Sequence, residues 1–403
     1  MAARSITSLD FTAKKVLVRC DFNVPLDSGR ITDPARIDAS LETIRYILDH
    51  QGSAVLCSHL GRPKERTPEL SLKPVAEYLS GALGRKVTLA PDCIGEVTGR
   101  MVAALGPGEA ILLENLRFHP EEEANDRDFA HELARGKSQY VNDAFGSAHR
   151  AHASTVGVTR FIQERAAGFL MLRELEALRA VTENPAHPYV AILGGAKVTD
   201  KIGVIRNLMS KVDAILIGGA MAYTFLKARG LPVGLSKVEE EKPIKQNDKQ
   251  VSPSATAREL EALALQKNVA LVLPIDHVVA ATATADATPE IVNEIPMNRM
   301  ALDIGPRTVA EFIEQIRRAK TIVWNGPLGF FELPAFAKGT LQVGAAIAEL
   351  TGVTSLIGGG DTAAALAGQP WANRFTHIST GGGATLEYLE GIELPGVKAL
   401  EDR

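Results

Sequence analysis

Short apolar runs that each end in glycine or a polar turn recur along this 403-residue chain, and they limit its fold more than any other feature. Val190 to Leu193 is one such run, rich in branched residues, and it stops at Gly194-Gly195. Ala214 to Ile217 stops at Gly218-Gly219-Ala220 and leads into a predicted helix from Met221 to Ala228. Ser355 to Ile357 stops at Gly358-Gly359-Gly360-Asp361-Thr362, with alanine-rich Ala363 to Ala367 behind it. Phe375 to Ile378 stops at Ser379-Thr380-Gly381-Gly382-Gly383-Ala384, followed by Thr385 to Leu389. Runs of four or five apolar residues read as buried strands, and strands alternating with helical patterns predict an α/β chain built on mainly parallel sheets.

The stretch after Leu193 carries Lys197 and Lys201 into the helical pattern Ile202, Ile205, Leu208, Met209. Lysines four apart on a helix share a face. Paired glycines, a helix start and two cations make a plausible phosphate seat, since glycine admits the ligand to the backbone. A tight strand–helix turn with surface lysines fits the same residues. Neither G-x-x-x-x-G-K-[ST] nor the dinucleotide turn G-x-G-x-x-G is present. Asp361 and Thr362 stand at a helix start, where they suit either an N-cap or a magnesium ion bridging phosphate oxygens. Glu332, after the Ile322–Val323–Trp324–Asn325 strand, suits ribose hydroxyls or plain solvent.

The first half has a different chemistry at its strand ends. Val16 to Val18 opens onto Asp21 and Asn23; Ala54 to Cys57 delivers His59 and Arg62. Ala110 to Leu113 delivers Arg117, and Tyr140-Val141 delivers His149, Arg150 and His152. Arg36 follows Asp33-Pro34, a helix-start signal, with Ile37, Leu41, Ile44 and Ile47 as the apolar stripe. In a parallel sheet these side chains converge on one rim, and arginine forks suit carboxylate and phosphate. The histidines lack metal-ligand spacing. Phe161 to Thr182 reads as one helix linking two domains, with the boundary close to Pro185.

Net charge of −4 argues against bulk nucleic-acid binding, and no apolar run reaches membrane-spanning length. Three cysteines, Cys20, Cys57 and Cys93, are too few for a disulfide framework, which points to a reducing, cytoplasmic setting.

Together, RCDFNVPLD, SHLGRP, LLENLRFHPEEE, NDAFGSAHRAHAST, AILGGAKVTDKI, ALDIGP, VWNGPLGFFE, GGGDTAA and STGGGATLEYL resemble the phosphoglycerate kinases over nearly the whole chain. The resemblance implies two Rossmann-like domains, each a mainly parallel sheet flanked by helices, joined by a hinge. It implies a triose-binding domain over 1–170, an interdomain helix over 171–185 and a nucleotide-binding domain over 186–389. Residues 390–403 would fold back onto the first domain. By similarity Asp21, Phe22, Asn23, Arg36, His59, Leu60, Gly61, Arg62, Arg117 and Arg150 would hold 3-phosphoglycerate or 1,3-bisphosphoglycerate. Gly195, Lys201, Gly219, Ala301, Leu302, Asn325, Pro327, Glu332, Gly359, Gly360, Asp361 and Thr362 would hold ADP or ATP, with Asp361 as the Mg²⁺ ligand. Arg36, Lys197, Lys201 and Gly382 would surround the phosphoryl group in transfer.

The implied reaction is in-line phosphoryl transfer on domain closure, with a carboxylate as nucleophile and no general base. Catalysis would then rest on positioning and on charge neutralisation. The family expectation is a monomer. A nicotinamide dehydrogenase would need a dinucleotide fingerprint, which is missing, and a degenerate anion-binding protein would not retain every polar position of the site. The sequence departs from the family pattern at Ala301 and Ala220, where glycine is common. The polar stretch Lys242 to Ser254 reads as an inserted surface loop or mobile segment before a helix at Ala255 to Gln266.

Overall fold

Parallel pairing decides the architecture of both halves. The computed structural model describes residues 3–241, 244–246 and 249–401. The chain divides into two compact units, Met1–Glu176 with Glu393–Arg403, and Ala177–Ile392.

The first unit is built on a six-stranded sheet. Its order is Val87–Leu89, Ala110–Leu112, Ser53–Cys57, Lys15–Arg19, Gln139–Asn142 and Glu164–Ala167, with every neighbour pair parallel. The chain moves outward on one side of Lys15–Arg19 and later on the other. The strand order therefore reverses there, and the carboxyl ends of Lys15–Arg19 and Gln139–Asn142 flank a crevice of the kind that takes ligands. Val16, Val18, Leu56 and Val141 meet Ile37, Ile44 and Ile47 of the Ala35–Asp49 helix in the core. Strand residues buried on both faces account for the unbroken apolar runs.

One sequence expectation fails here. Glu164–Ala167 is a strand, and the helix begins only at Phe169 and runs to Thr182. Glu-Arg-Ala-Ala carries no β-signature of its own. Pairing with Gln139–Asn142 imposes the strand, and Gly168 ends it where an added Cβ would lie 2.2 Å from Asp143 Oδ1. After Leu394, Gly396 N–H donates to Ala148 O, and Arg165 donates to Glu401 O, so the last described residues pack on the first unit's own loops.

The second unit has a six-stranded parallel sheet ordered Ala270–Val272, Ala214–Ile217, Tyr189–Leu193, Thr321–Asn325, Thr354–Gly358 and His377–Ile378. Numbered along the chain this order is 3-2-1-4-5-6, the doubly wound arrangement with its switch point between Tyr189–Leu193 and Thr321–Asn325. Ile192, Leu216, Trp324 and Ile357 pack against Phe312, Ile316, Val343 and Ile347 of two covering helices. A three-stranded antiparallel sheet, Glu290–Val292, His277–Ala280 and Met300–Ile304, stands apart from the main one and has no counterpart among the predicted strands.

The expected loop at Lys242 to Ser254 is in part a hairpin, Ile244–Gln246 paired antiparallel with Lys249–Val251. Lys242, Pro243, Asn247 and Asp248 lie outside the described residues. The next helix starts at Pro253, earlier than expected, because Ser252 caps it by accepting from Ala255 N–H.

Candidate active site

In the first unit, polar side chains gather where the parallel strands stop. Arg19 ends its strand fully buried. Its Nε donates to Ser154 Oγ at 2.9 Å, and Nη2 lies 3.1 Å from His59 Nδ1. The backbone then turns, and Phe22 N–H donates to Ser58 Oγ at 2.8 Å. Asp21 reaches Arg36, whose Nη1 is 3.3 Å from Asp21 Oδ2 and 3.2 Å from Asn23 O. Asn23 Oδ1 accepts from Gly61 N–H at 2.8 Å, which ties the first strand end to the second. Leu60 is held on both backbone groups by Asn115. Arg117 Nη1 donates to Gly61 O at 2.6 Å, and its Nε sits 3.2 Å from Glu123 Oε1. Arg150 Nε donates to His149 Nε2 at 3.2 Å, and Arg62 projects into solvent.

The electrostatics show how close these cations are. Burial holds the His59 imidazole well below its ordinary pKa, and Arg19, Arg117 and Arg150 push it down further. His152 is pushed down to about 4 by burial and then by Arg19, against the pull of Glu123. Burial also lowers Arg117, and Arg150, Arg19 and Arg62 add to that while Glu123 opposes it. Both histidines are therefore neutral at physiological pH, and the positive charge belongs to the arginines.

Arg19 was absent from the residues read as site candidates. Its signal was available: a charged residue closing an apolar strand two positions before Asp21. Glu122 was missed too. It is buried and accepts from Ser154 N–H at 2.9 Å and Ser154 Oγ at 2.5 Å. Burial raises its pKa, and Arg19 opposes that rise.

In the second unit the switch point is a crossing of three backbones. A Cβ on Gly194 would lie 2.0 Å from Pro327 O, one on Gly219 2.6 Å from Gly195 N, and one on Gly326 2.4 Å from Gly194 O. Gly195 N–H donates to Pro327 O at 3.1 Å and Gly219 N–H to Leu328 O at 2.9 Å. These glycines therefore serve close packing, and their N–H groups are already used. The two lysines also part company. Lys197 is exposed and precedes any helix, whereas Lys201 ends the turn Thr199–Lys201 and is buried. The Gly194–Gly195 turn delays the helix past Lys197, so the shared helical face expected from their spacing does not form.

Lys201 Nζ donates to Asn325 Oδ1. Burial lowers the Lys201 pKa, and Asp200, Asp361 and Glu390 oppose that. Asn325 is buried, and its Nδ2 has no hydrogen-bond partner among the described residues. Thr362 Oγ1 accepts from Gly326 N–H at 2.7 Å, which fixes the turn carrying Gly359, Gly360 and Asp361. Beside it lies a mainly apolar cavity of about 410 Å³ whose walls include Gly195, Gly219, Ala301, Leu302, Pro327 and Phe330. Glu332 and Asp361 are its acidic edges. The three-stranded sheet supplies Ala301 and Leu302. Gly382 turns at φ +53° before the Gly383–Leu389 helix.

An apolar cavity edged by two carboxylates, with Lys201 against its Gly195 wall, suits a heterocycle carrying a polyanionic tail. Residues 6–392 match the model of one family, phosphoglycerate kinase. The chain belongs to the phosphoglycerate kinase family. It is 53% identical to a phosphoglycerate kinase of Koribacter versatilis and 52% identical to one of Moorella thermoacetica, in each case over 100% of both chains. Its fold is similar to that of the Coxiella burnetii phosphoglycerate kinase, with a TM-score of 0.88 and 40% identity over 99% of this chain and 98% of that one. The Pyrococcus horikoshii phosphoglycerate kinase matches with a TM-score of 0.81 and 31% identity over 98% of each chain. Membership of this phosphotransferase family agrees with the fold and with the sequence resemblance, and no described helix is long and apolar enough to cross a membrane.

Proposed function

We propose that the first unit binds the triose and the second the nucleotide, and that the chain transfers a phosphoryl group between 1,3-bisphosphoglycerate and MgADP, giving 3-phosphoglycerate and ATP. The observation that carries this reading is the gathering of Arg19, Arg117 and Arg150 around His59 at one strand edge. Like charges held together without an equal number of carboxylates favour a small, highly charged anion. Asp21, Asn23, Arg36, His59, Arg62, Arg117 and Arg150 take the triose in this reading. Leu60, Gly61 and Phe22 hold the loop backbones that frame it.

In the second unit the apolar slot takes the base, Glu332 the ribose, and Lys201, Asn325 and the Gly359–Thr362 turn the phosphates. Magnesium arrives with the nucleotide as part of the substrate, and the exposed Asp361 carboxylate suits a hard cation that takes one or two carboxylates beside phosphate oxygens. The acceptor carboxylate is ionised at neutral pH, so no side chain has to remove a proton. Arg36, Lys197, Lys201 and the Gly382 turn neutralise charge on the transferred oxygens and hold the reactants in line. The chain acts as a cytosolic monomer in this reading, and its three free, buried cysteines suit a reducing compartment.

A coupled assay of ATP formation from 1,3-bisphosphoglycerate and MgADP tests the reading. Turnover that disappears on omission of either substrate is the expected result. Tight anion binding with no ATP formed would instead favour a non-catalytic anion-binding protein.

A further inference from the structure

The loop after Val87–Leu89 meets the turn after Arg117. Asp92, Cys93 and His119 meet there, and their ligating atoms all lie within 4.8 Å of one another. His119 Nε2 is 2.7 Å from Asp92 Oδ1, which also accepts from Cys93 N–H at 2.7 Å. Cys93 is buried, whereas the side chains of Asp92 and His119 remain 32% and 25% exposed, which leaves a path from solvent. Thr98 Oγ1 donates to Asp92 O at 3.0 Å, and the His119 ring packs 5.3 Å from Phe129, so both partners are held in place.

We propose that Asp92, Cys93 and His119 form a binding site for a thiophilic divalent cation, zinc being the best fit, with three protein ligands and one position open to solvent. The donor set of one thiolate, one imidazole and one carboxylate suits a borderline-soft ion and is a poor match for magnesium or calcium, which take oxygen. Bond lengths of about 2.0–2.3 Å imply donor separations of roughly 3.3–3.8 Å in a tetrahedron, so the His119–Asp92 pair, now at 2.7 Å, opens slightly while the wider separations, all within 4.8 Å, close. As the metal–sulfur bond forms, the thiol proton leaves to solvent, and the His119–Asp92 hydrogen bond gives way to two metal bonds. Arg66 Nη1 stands 3.4 Å from Asp92 Oδ2, the oxygen turned away from His119. It orients the carboxylate from outside, at some electrostatic cost to affinity. Burial, then Asp92, Glu122 and Cys57, hold the Cys93 thiol well above its ordinary pKa, so it is the metal that must draw the proton off, and Cys93 in turn acts on Lys137.

The test uses the full, untagged chain without nucleotide and with excess magnesium to fill sites made of oxygen. Cobalt(II) is titrated while the thiolate-to-cobalt charge-transfer band is followed. One equivalent should produce the band, and zinc should abolish it by displacement. Cys93→Ser should lack the band, and His119→Gln should bind at least roughly tenfold more weakly. Zinc should raise the melting temperature of the parent chain and leave that of Cys93→Ser unmoved, because the ion binds the native state. No charge-transfer band in the parent chain, or a band that survives in Cys93→Ser through Cys20 or Cys57, overturns the proposal. Should Cys93→Ser fail to fold, unchanged cobalt affinity in His119→Gln does the same.

Discussion

Lys201 donates to Asn325 Oδ1 within the second unit, and the two amide hydrogens on the same Asn325 side chain have no acceptor among the described residues. A buried amide left half satisfied is costly unless something else completes it. The pair also settles which end of the amide is left unpaired, because an ammonium can bond only to the oxygen. The donor end is buried beside Gly358 and Gly359, and a phosphate oxygen reaching that turn would be a strong acceptor.

Removing either partner should therefore weaken nucleotide binding. Lys201→Ala is expected to lower MgADP affinity by roughly 10- to 100-fold, the scale of a charge-assisted hydrogen bond. Asn325→Ala is expected to fall in the same direction. Calorimetric titration of each variant with MgADP measures this, and wild-type affinity in both would remove the phosphate role from the pair.

Arg36 should behave differently. It is half-buried and bonded to Asp21 and to Asn23 O, both in the first unit. Arg36→Ala is expected to reduce kcat by roughly 10²–10³-fold, the usual scale for a group that meets developing charge, with MgADP affinity nearly unchanged. Steady-state kinetics over both substrates separates the cases. Normal kcat with a raised KM for the triose would make Arg36 a binding residue only.

Gly194→Ala tests the backbone crossing. The added methyl would lie 2.0 Å from Pro327 O and 2.6 Å from Gly326 O, and backbone cannot swing aside as a side chain does. A loss of about 3 kcal/mol or more is expected, at the severe end for a single substitution. Urea unfolding followed by circular dichroism reads it, and a midpoint equal to the parent's would show that the strands part easily.

Acid should destabilise the first unit through its neutral histidines. His152 titrates near 6.5 when unfolded and is pushed down to about 4 by burial and by Arg19. Between those values the unfolded chain binds a proton that the folded chain does not, so stability rises with pH across this window. The contribution is fully present above about pH 6.5 and is lost as pH falls toward 4. His152→Gln should flatten the pH dependence of the urea midpoint over that range. An equal slope in parent and variant would place the acid sensitivity elsewhere.

Much of the site could be read in the sequence because its parts are local. Asp21, His59, Arg117 and Arg150 each follow a short apolar strand, and a parallel sheet brings strand ends together without further instruction. Lys197 and Lys201 were misread as a helical pair because spacing alone does not show where a helix starts. Glu164–Ala167 was read as helix because nothing in Glu-Arg-Ala-Ala favours a strand; the neighbouring Gln139–Asn142 supplies the hydrogen bonds that make it one. The paired glycines of the second half were expected to admit a phosphate to the backbone. Gly195 and Gly219 instead spend their N–H groups on Pro327 and Leu328, residues more than 100 positions away along the chain.

The sequence by itself determined the α/β class, the two sets of strand ends and the family, since these rest on apolar periodicity and on motifs a few residues long. Only the tertiary structure decided which cations stand close enough to keep His59 and His152 neutral, which glycines are there for packing, and that the buried Asn325 amide keeps its hydrogens unpaired among the described residues. Those properties depend on distance and burial between segments far apart in the chain, and a linear order of residues carries neither.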